Sequence, residues 1–362
     1  MPSTYSCGAE KTVLNESILN MAKRATGLSR RFLAGLSCLL VLSACAVTRP
    51  TTDRQALRQT EAFIQEVKAF GERLGIAPTE ALNHSAADHP VLSMLWLWLQ
   101  RDGTLALQRP IDIRMAIGFS NHRDKLPLEE VYRVEGYSVY YRQGNEFADG
   151  RSVATAGFAA EGAVRRATVI LHEDLHGDNN FDLPWEIEES IVTPLGALAA
   201  IAFFWERGDE GNLQRALASV EEQRQYSREL NGLVEKAAQI FQQKTPEDAK
   251  QKILALMVEY PIYNAQFQRQ IAGQHPPTAL EAKLSHDLAY YRYFDRVVAL
   301  SEKAPDLKTL IADLKKLPQD TNQGDLERYL RQLDSQYATQ DSLNSSKVFG
   351  GSPLGAPSAP KS

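Results

Sequence analysis

The sequence predicts a mainly helical α+β domain with one small sheet. Two patterns carry this. Runs rich in β-branched and aromatic residues are confined between 104 and 170, and from 164 onward the apolar residues recur at helical spacing. Ahead of both, Ala56, Leu57, Ala62, Phe63, Val67 and Phe70 mix spacings of three and four, so 53–74 is expected to be an amphipathic helix. Residues 91–99 are almost wholly apolar and far too short to span a bilayer, which suggests a core or cleft-lining helix. Val131, Tyr132, Val134, Tyr137, Val139, Tyr140 and Tyr141 around Gly136 read as a strand. Residues 144–150 follow as a turn and 152–157 as a further short strand, in a sheet of antiparallel character. Helices are then expected over 164–177, from near Asp182 with Pro184 in the first turn through 197–205, and over 212–242, 246–271, 278–303 and 306–316. Thr245 before Pro246 and Glu247 is an N-cap signal. The folded domain is placed at 55–337, with a disordered Ser/Gly/Pro-rich tail at 338–362.

A formal net charge of -5 and a pI near 5.9 argue against a nucleic-acid partner. The one basic run, Lys23, Arg24, Arg30 and Arg31, precedes a short apolar stretch at 32–42 that ends in Leu42-Ser43-Ala44-Cys45. This resembles the lipobox of bacterial lipoproteins and makes Cys45 the expected lipidation site. Residues 1–44 then form a signal peptide, and 45–54 a lipidated cysteine and tether. Met21 offers an alternative start that would leave 1–20 as a non-native extension. The expected partner is the lipid bilayer through acylated Cys45, facing the periplasm, and Ala46 after the cysteine resembles the outer-membrane pattern. Cys7 and Cys38 precede the cleavage point, so a disulfide, a cysteine-ligated metal and a thiolate nucleophile are all excluded from the domain.

The chemistry is carried by Ile170-Leu171-His172-Glu173-Asp174-Leu175-His176, which contains H-E-x-x-H. On a helix, residues four apart share a face, so both imidazoles can hold one Zn2+ ion. Glu173 can then take a proton from a water at the metal, as the catalytic base. The motif arises by chance in roughly one such chain in a hundred. Glu186, Glu188 and Glu189 are candidates for a third, carboxylate ligand; Glu186 and Glu189 share a face, and Glu188 is expected to point elsewhere. Asp178 is a candidate partner for a ligand histidine, and Asp174 is expected to be exposed.

Two stretches, Gly177-Asp178-Asn179-Asn180-Phe181 and Glu188-Glu189-Ser190-Ile191-Val192-Thr193-Pro194-Leu195-Gly196, extend the motif. Together with Gly136-Tyr137-Ser138-Val139-Tyr140 and Leu280-Glu281-Ala282-Lys283-Leu284, they resemble a family of bacterial lipoproteins assigned by their motif as zinc aminopeptidases. The resemblance covers roughly 130–317 and is densest at 168–196. It implies a zincin-like metallopeptidase architecture, a gluzincin-like ligand set of His172, His176 and Glu189, and a peptide or protein substrate. The family's Asn before the glutamate ligand is Glu188 here, and its Asn-Asn-Ala is Leu280-Glu281-Ala282.

A metallopeptidase also needs a donor for the developing oxyanion. Tyr290, Tyr291 and His286 on one expected helix are the candidates, with Tyr293 nearby and Tyr137, Tyr140 and Tyr141 on the strand. An edge strand at 131–141 or 152–157 is suited to pairing with an extended peptide. The rival expectation is a non-catalytic helical envelope lipoprotein acting as a scaffold or binding protein through its charged helices from 212 to 316.

Overall fold

The computed structural model describes residues 50–85, 93–107, 110–120, 134–144, 153–177 and 179–349. Cys45, the lipobox, the signal segment and Asp178 lie outside the described residues. The described chain is mainly helical with one three-stranded antiparallel sheet. Helix α1 (Pro50–Arg73) packs against α3 (Ala163–Leu175), and a two-residue parallel pair, β1 (His84–Ser85) with β5 (Val153–Ala154), sits beside it. The main sheet has the order β3 (Ile113–Ser120), β2 (Ser93–Arg101), β4 (Tyr137–Gly144), so β3 and β4 are its edges.

Strand β2 occupies the run for which a helix was expected. Leu95, Leu97 and Leu99 turn to one face with Val139 and Tyr141, while Trp98 and Tyr140 turn to the other, against a second cluster. Because both faces are apolar, the alternation of two is hidden in the sequence, and a nine-residue apolar run fits either element. The cleft-lining half of the expectation stands, since Trp96 and Trp98 do line a cleft.

Beyond α2 (Ala156–Ala160) and α3, the chain continues as α4 (Trp185–Arg207) and α5 (Glu210–Gln243). Helix α4 starts later than expected, with Pro184 as its N-cap, and it ends on Gly208 at φ 69°, the left-handed conformation that favours glycine. It is long and apolar enough to cross a bilayer, but 83% of its most apolar window is buried in the protein, as suits a core helix.

The expected 246–271 helix is broken into α6 (Pro246–Leu256), a 3-10 turn at Met257–Glu259, and α7 (Pro261–Gln270), because Pro261 cannot continue the hydrogen-bond ladder. The expected 278–303 helix divides at Arg292 into α8 (Pro276–Tyr291) and α9 (Phe294–Ser301). Helix α10 (Leu307–Leu314) is followed by α11 (Gln323–Phe349), which runs through 338–349, where a tail was expected. Its Leu326, Leu330, Leu333 and Tyr337 are buried in the first core cluster, and that burial orders a segment whose composition is polar. This cluster gathers α1, α3, α4, α9, α10 and α11; the second gathers α5 to α8 beneath the sheet, and the cleft opens between them.

Candidate metal centre

Helix α3 places His172 one turn before His176, which caps its C-terminus in a helical conformation (φ -72°, ψ -5°). Both imidazoles therefore point the same way, with Nε2 atoms 3.1 Å apart. From the first turns of α4, Glu189 Oε2 comes within 3.3 Å of His172 Nε2 and 3.4 Å of His176 Nε2. The helices can approach this closely because Gly196, two turns after Glu189, faces His172. A Cβ there would lie 3.0 Å from the His172 Cβ and 3.1 Å from the Thr168 carbonyl oxygen.

Three donor atoms separated by 3.1–3.4 Å match a tetrahedral zinc, whose ligand atoms at about 2.0–2.1 Å stand roughly 3.3 Å from one another. The donor chemistry fits as well. Glu189 Oε2 is buried with no hydrogen-bond partner, while its Oε1 accepts from Trp185 Nε1 at 2.9 Å. One carboxylate oxygen is thus fixed and the other is presented to the imidazoles. A Glu173 oxygen lies within 4.8 Å of both histidine ligand atoms, although the Glu189 contacts are the shorter ones. The Glu189 oxygen, rather than the Glu173 one, therefore completes the tightest triangle of donor atoms, with Glu173 beside it. A tetrahedral ion held by three protein ligands keeps one position for water or substrate.

The other two glutamates have distinct places. Glu186 accepts from the Ile111 N–H at 2.6 Å and does not join the triangle. Glu188 does not point elsewhere as expected: its Oε1 stands 2.5 Å from His176 Nδ1, and its Oε2 accepts from the Leu183 N–H at 3.0 Å. A carboxylate on Nδ1 fixes the tautomer that presents Nε2 to a metal and raises the ring's basicity. Asp174 is buried rather than exposed. It accepts from the Lys68 ammonium, from Thr79 Oγ1 at 2.8 Å and from the Thr79 N–H at 3.1 Å, tying α3 to α1 and the loop after it.

The electrostatics follow from this packing. Against the burial that opposes its charge, Glu189 and Glu188 hold the His176 imidazolium up to about 10. Burial would raise the Glu189 carboxyl, but the two histidines outweigh it and hold it well below the usual carboxylate range. Burial raises Glu173 above the usual carboxylate range, and one of its oxygens has no hydrogen-bond partner. The triangle is a well for positive charge, proton or metal, and Glu173 is a buried carboxyl shifted toward the range of a general base.

The cleft beside the triangle, about 420 Å³, is lined by His172, Glu173 and Glu189 and also by Tyr290, Tyr291 and His286. Tyr290 packs edge-on against Trp185, the residue that holds Glu189. Tyr293 instead bonds Glu327, Tyr137 bonds Arg101, and Tyr140 and Tyr141 are buried within the sheet's two faces. His286 Nδ1 is 2.9 Å from Asp287, a carboxylate that also accepts from Lys283, Tyr226 and Tyr263. Burial lowers the His286 pKa to about 4. The network therefore assigns the proton of a neutral ring to Nδ1, so that Nε2 is an acceptor. That removes His286 as an oxyanion donor and leaves the two tyrosines.

Sequence reading did not single out Trp185, Gly196, Arg142 or Arg165. The first had a signal in its spacing of four from Glu189, and Gly196 in its spacing of seven. The two arginines carried none before the sheet and α3 placed them in one cleft. Comparison with protein family models, with curated proteins and with solved structures finds no match to this chain.

Proposed function

We propose that the chain is a zinc-dependent peptide-bond hydrolase of zincin-like architecture, tethered to a bacterial envelope membrane through Cys45 and acting there as an aminopeptidase-type enzyme. The observation that carries this reading is the 3.1–3.4 Å triangle of His172, His176 and Glu189 with the buried carboxyl of Glu173 beside it.

His172, His176 and Glu189 would hold the ion, with Glu188 fixing the His176 ring and Trp185 the Glu189 carboxylate. When bound, zinc supplies a Lewis acid that polarises the amide carbonyl and lowers the pKa of water. Glu173 takes a proton from the attacking water and hands it to the amine nitrogen as the C–N bond breaks. Tyr290, walled in by Trp185 and His286, donates its hydroxyl proton in a hydrogen bond to the developing oxyanion. These groups line a cleft between the sheet and α3, and its low-dielectric walls strengthen each of these interactions.

The deciding experiment is metal analysis with a peptide library cleavage assay on wild type and Glu173→Gln. Wild type is expected to carry one zinc per chain and to cleave. Glu173→Gln is expected to keep the zinc and lose about 10²–10⁴-fold in rate. A metal-loaded wild type that cleaves nothing, or a Glu173→Gln protein as active as wild type, overturns the reading.

A further inference from the structure

We infer that the cleft beside the ligand triangle carries a subsite for a primary carboxamide, the side chain of a Gln or Asn in a peptide, formed by Trp98, Arg142 and His286. That this side chain flanks the scissile bond rests on the hydrolase reading; the carboxamide binding itself is tested apart from it.

Three polar atoms without partners define the subsite. The indole N–H of Trp98, Arg142 Nε and His286 Nε2 are buried and make no hydrogen bond, and all three residues line the cleft. Trp98 is 2% exposed and His286 4%, so neither is a surface group turned to solvent. The three come from β2, β4 and α8 and gather round one indole. The His286 ring centre is 4.6 Å from that of Trp98, and the Arg142 guanidinium carbon 6.0 Å. Buried polar atoms are nearly always paired, so three orphans on one cleft mark a place for a ligand.

Their roles fix the chemistry of that ligand. Trp98 and Arg142 can only donate. His286 Nδ1 stands 2.9 Å from Asp287, which already forms a neutral pair with the buried Lys283. A second buried cation there would be uncompensated, and burial holds the His286 pKa down at about 4. The ring proton therefore sits on Nδ1, and Nε2 accepts. The subsite asks for two acceptor lone pairs and one donor. A carboxylate has no donor and would set an oxygen against the His286 lone pair. An ammonium has no acceptor and would meet the Arg142 charge. A primary carboxamide supplies two lone pairs on its oxygen and a donor on its nitrogen, side by side on one edge of a plane. A backbone amide has the same groups, but its trans geometry points N–H and C=O in opposite directions. A hydroxyl would have to serve three nitrogens from a single atom, whereas a carboxamide divides the task between two.

The walls suit a flat group and are held in place. Trp98 stacks on Tyr140 with ring centres 5.6 Å apart, and Tyr140 meets His286 edge-on at 5.2 Å. Asp287 steadies the His286 ring and is itself fixed by hydrogen bonds from Tyr226 and Tyr263. Few side chains have to be ordered when a ligand arrives. The subsite also lies close to the triangle. Tyr290 is one turn after His286, with ring centres 4.9 Å apart, and it packs against Trp185, which holds Glu189. A side chain seated on His286 therefore belongs to a residue next to the bond that Tyr290 and Glu173 act on.

The test is calorimetry on the zinc-free full chain with acetyl-Ala-X-Ala methylamides, where X is Gln, Asn, Glu, Met or Ser. The methylamide removes the terminal carboxylate and offers no primary amide of its own. The better of Gln and Asn is expected to bind about 10- to 100-fold more tightly than Met, because Met leaves the buried donors and acceptor stranded. Glu and Ser should also bind about tenfold or more weakly than that peptide. Trp98→Phe, which keeps a ring and loses the N–H, should shrink the preference over Met by about fivefold or more. A preference over Met of less than about threefold in wild type overturns the assignment without any variant having to fold. A preference that survives Trp98→Phe unchanged overturns it too. Glu as the tightest peptide overturns the carboxamide in favour of an anion, and Ser in favour of a hydroxyl. Zinc-loaded wild type given a peptide library should enrich Gln or Asn beside the cut bond, and enrichment only at more distant positions overturns the placement. Because binding is read without zinc or turnover, its failure leaves the hydrolase reading intact, and a protein that prefers the carboxamide yet cleaves nothing when loaded fails the hydrolase reading alone.

Discussion

The Glu188 carboxylate meets His176 at Nδ1, 2.5 Å away, on the side of the ring opposite the Nε2 that faces Glu189. Two adjacent glutamates of α4 thus grip one imidazole from both ends. Glu188→Ala is expected to weaken zinc affinity about 10- to 100-fold with the fold intact, and Glu188→Gln, which still accepts from Nδ1, by less. Competition with a chromophoric chelator measures both. An unchanged affinity in Glu188→Ala would leave the pair without a part in metal binding.

Gly196 should be intolerant of even one methyl group. The Cβ of Gly196→Ala would press on His172 Cβ at 3.0 Å and on backbone atoms at 3.1 Å, none of which can swing aside. We expect a loss of about 1–3 kcal/mol in stability, typical of overpacking, together with weaker zinc binding as α4 is pushed from α3. Thermal unfolding with and without zinc reads both effects, and a Gly196→Ala protein as stable and as tightly metallated as wild type would contradict the packing argument.

Zinc and protons should compete at His176. Without metal its pKa is raised to about 10 from an ordinary 6.5. The stability it contributes is therefore fully present below about pH 6.5 and lost as pH rises through about 10. At neutral pH the ring carries a proton that zinc must displace, so zinc affinity should rise with pH between 6 and 9, with about one proton released per ion bound. Calorimetry in buffers of different ionisation enthalpy counts that proton. A pH-independent affinity would show that His176 is neutral in the metal-free protein.

Glu281 gives a pH effect away from the site. Its side chain is fully buried; Oε1 accepts from the Gly103 N–H at 3.0 Å, Lys250 is 3.5 Å away, and Oε2 has no partner. Burial raises its pKa to about 7. With the folded value above the unfolded one, its contribution is fully present below about pH 4.5 and lost as pH rises through 7. Glu281→Gln keeps the acceptor for Gly103 and cannot ionise. It should stabilise the protein at pH 8 by up to about 3 kcal/mol and bring no gain at pH 4. Denaturant titrations at the two pH values decide it.

The helix bearing His172 and His176 was legible because a spacing of four on a helix leaves the two imidazoles no choice of face. Glu189 was reachable through the resemblance, and the structure brings it to the same point. Glu188 and Asp174 were misjudged for one reason: a helical wheel assigns a face but does not say what lies against it. Glu188 reaches back over the short connection to His176, and Asp174 meets Lys68, more than a hundred residues away in the chain. Strand β2 was misjudged because leucines alternating with tryptophans hide their own period. The helix breaks at Tyr260 and Arg292 are local events, and only Pro261 announced one of them.

The pairing of β2 with β4 sets Trp96 opposite Arg142 and Trp98 opposite Tyr140, while Leu97 faces Tyr141 and Leu99 faces Val139. What the cleft displays is therefore a question of odd and even. A slip of one residue would turn the leucines inward and carry the indoles and the guanidinium to the far side of the sheet. On the other flank of β2 the register with β3 shifts between Leu95 and Trp96, at the threshold of this stretch. That irregularity acts as a phase mark. Inserting or deleting one residue near it would leave every side chain of the cleft wall present in the chain and none of them where a ligand could find it.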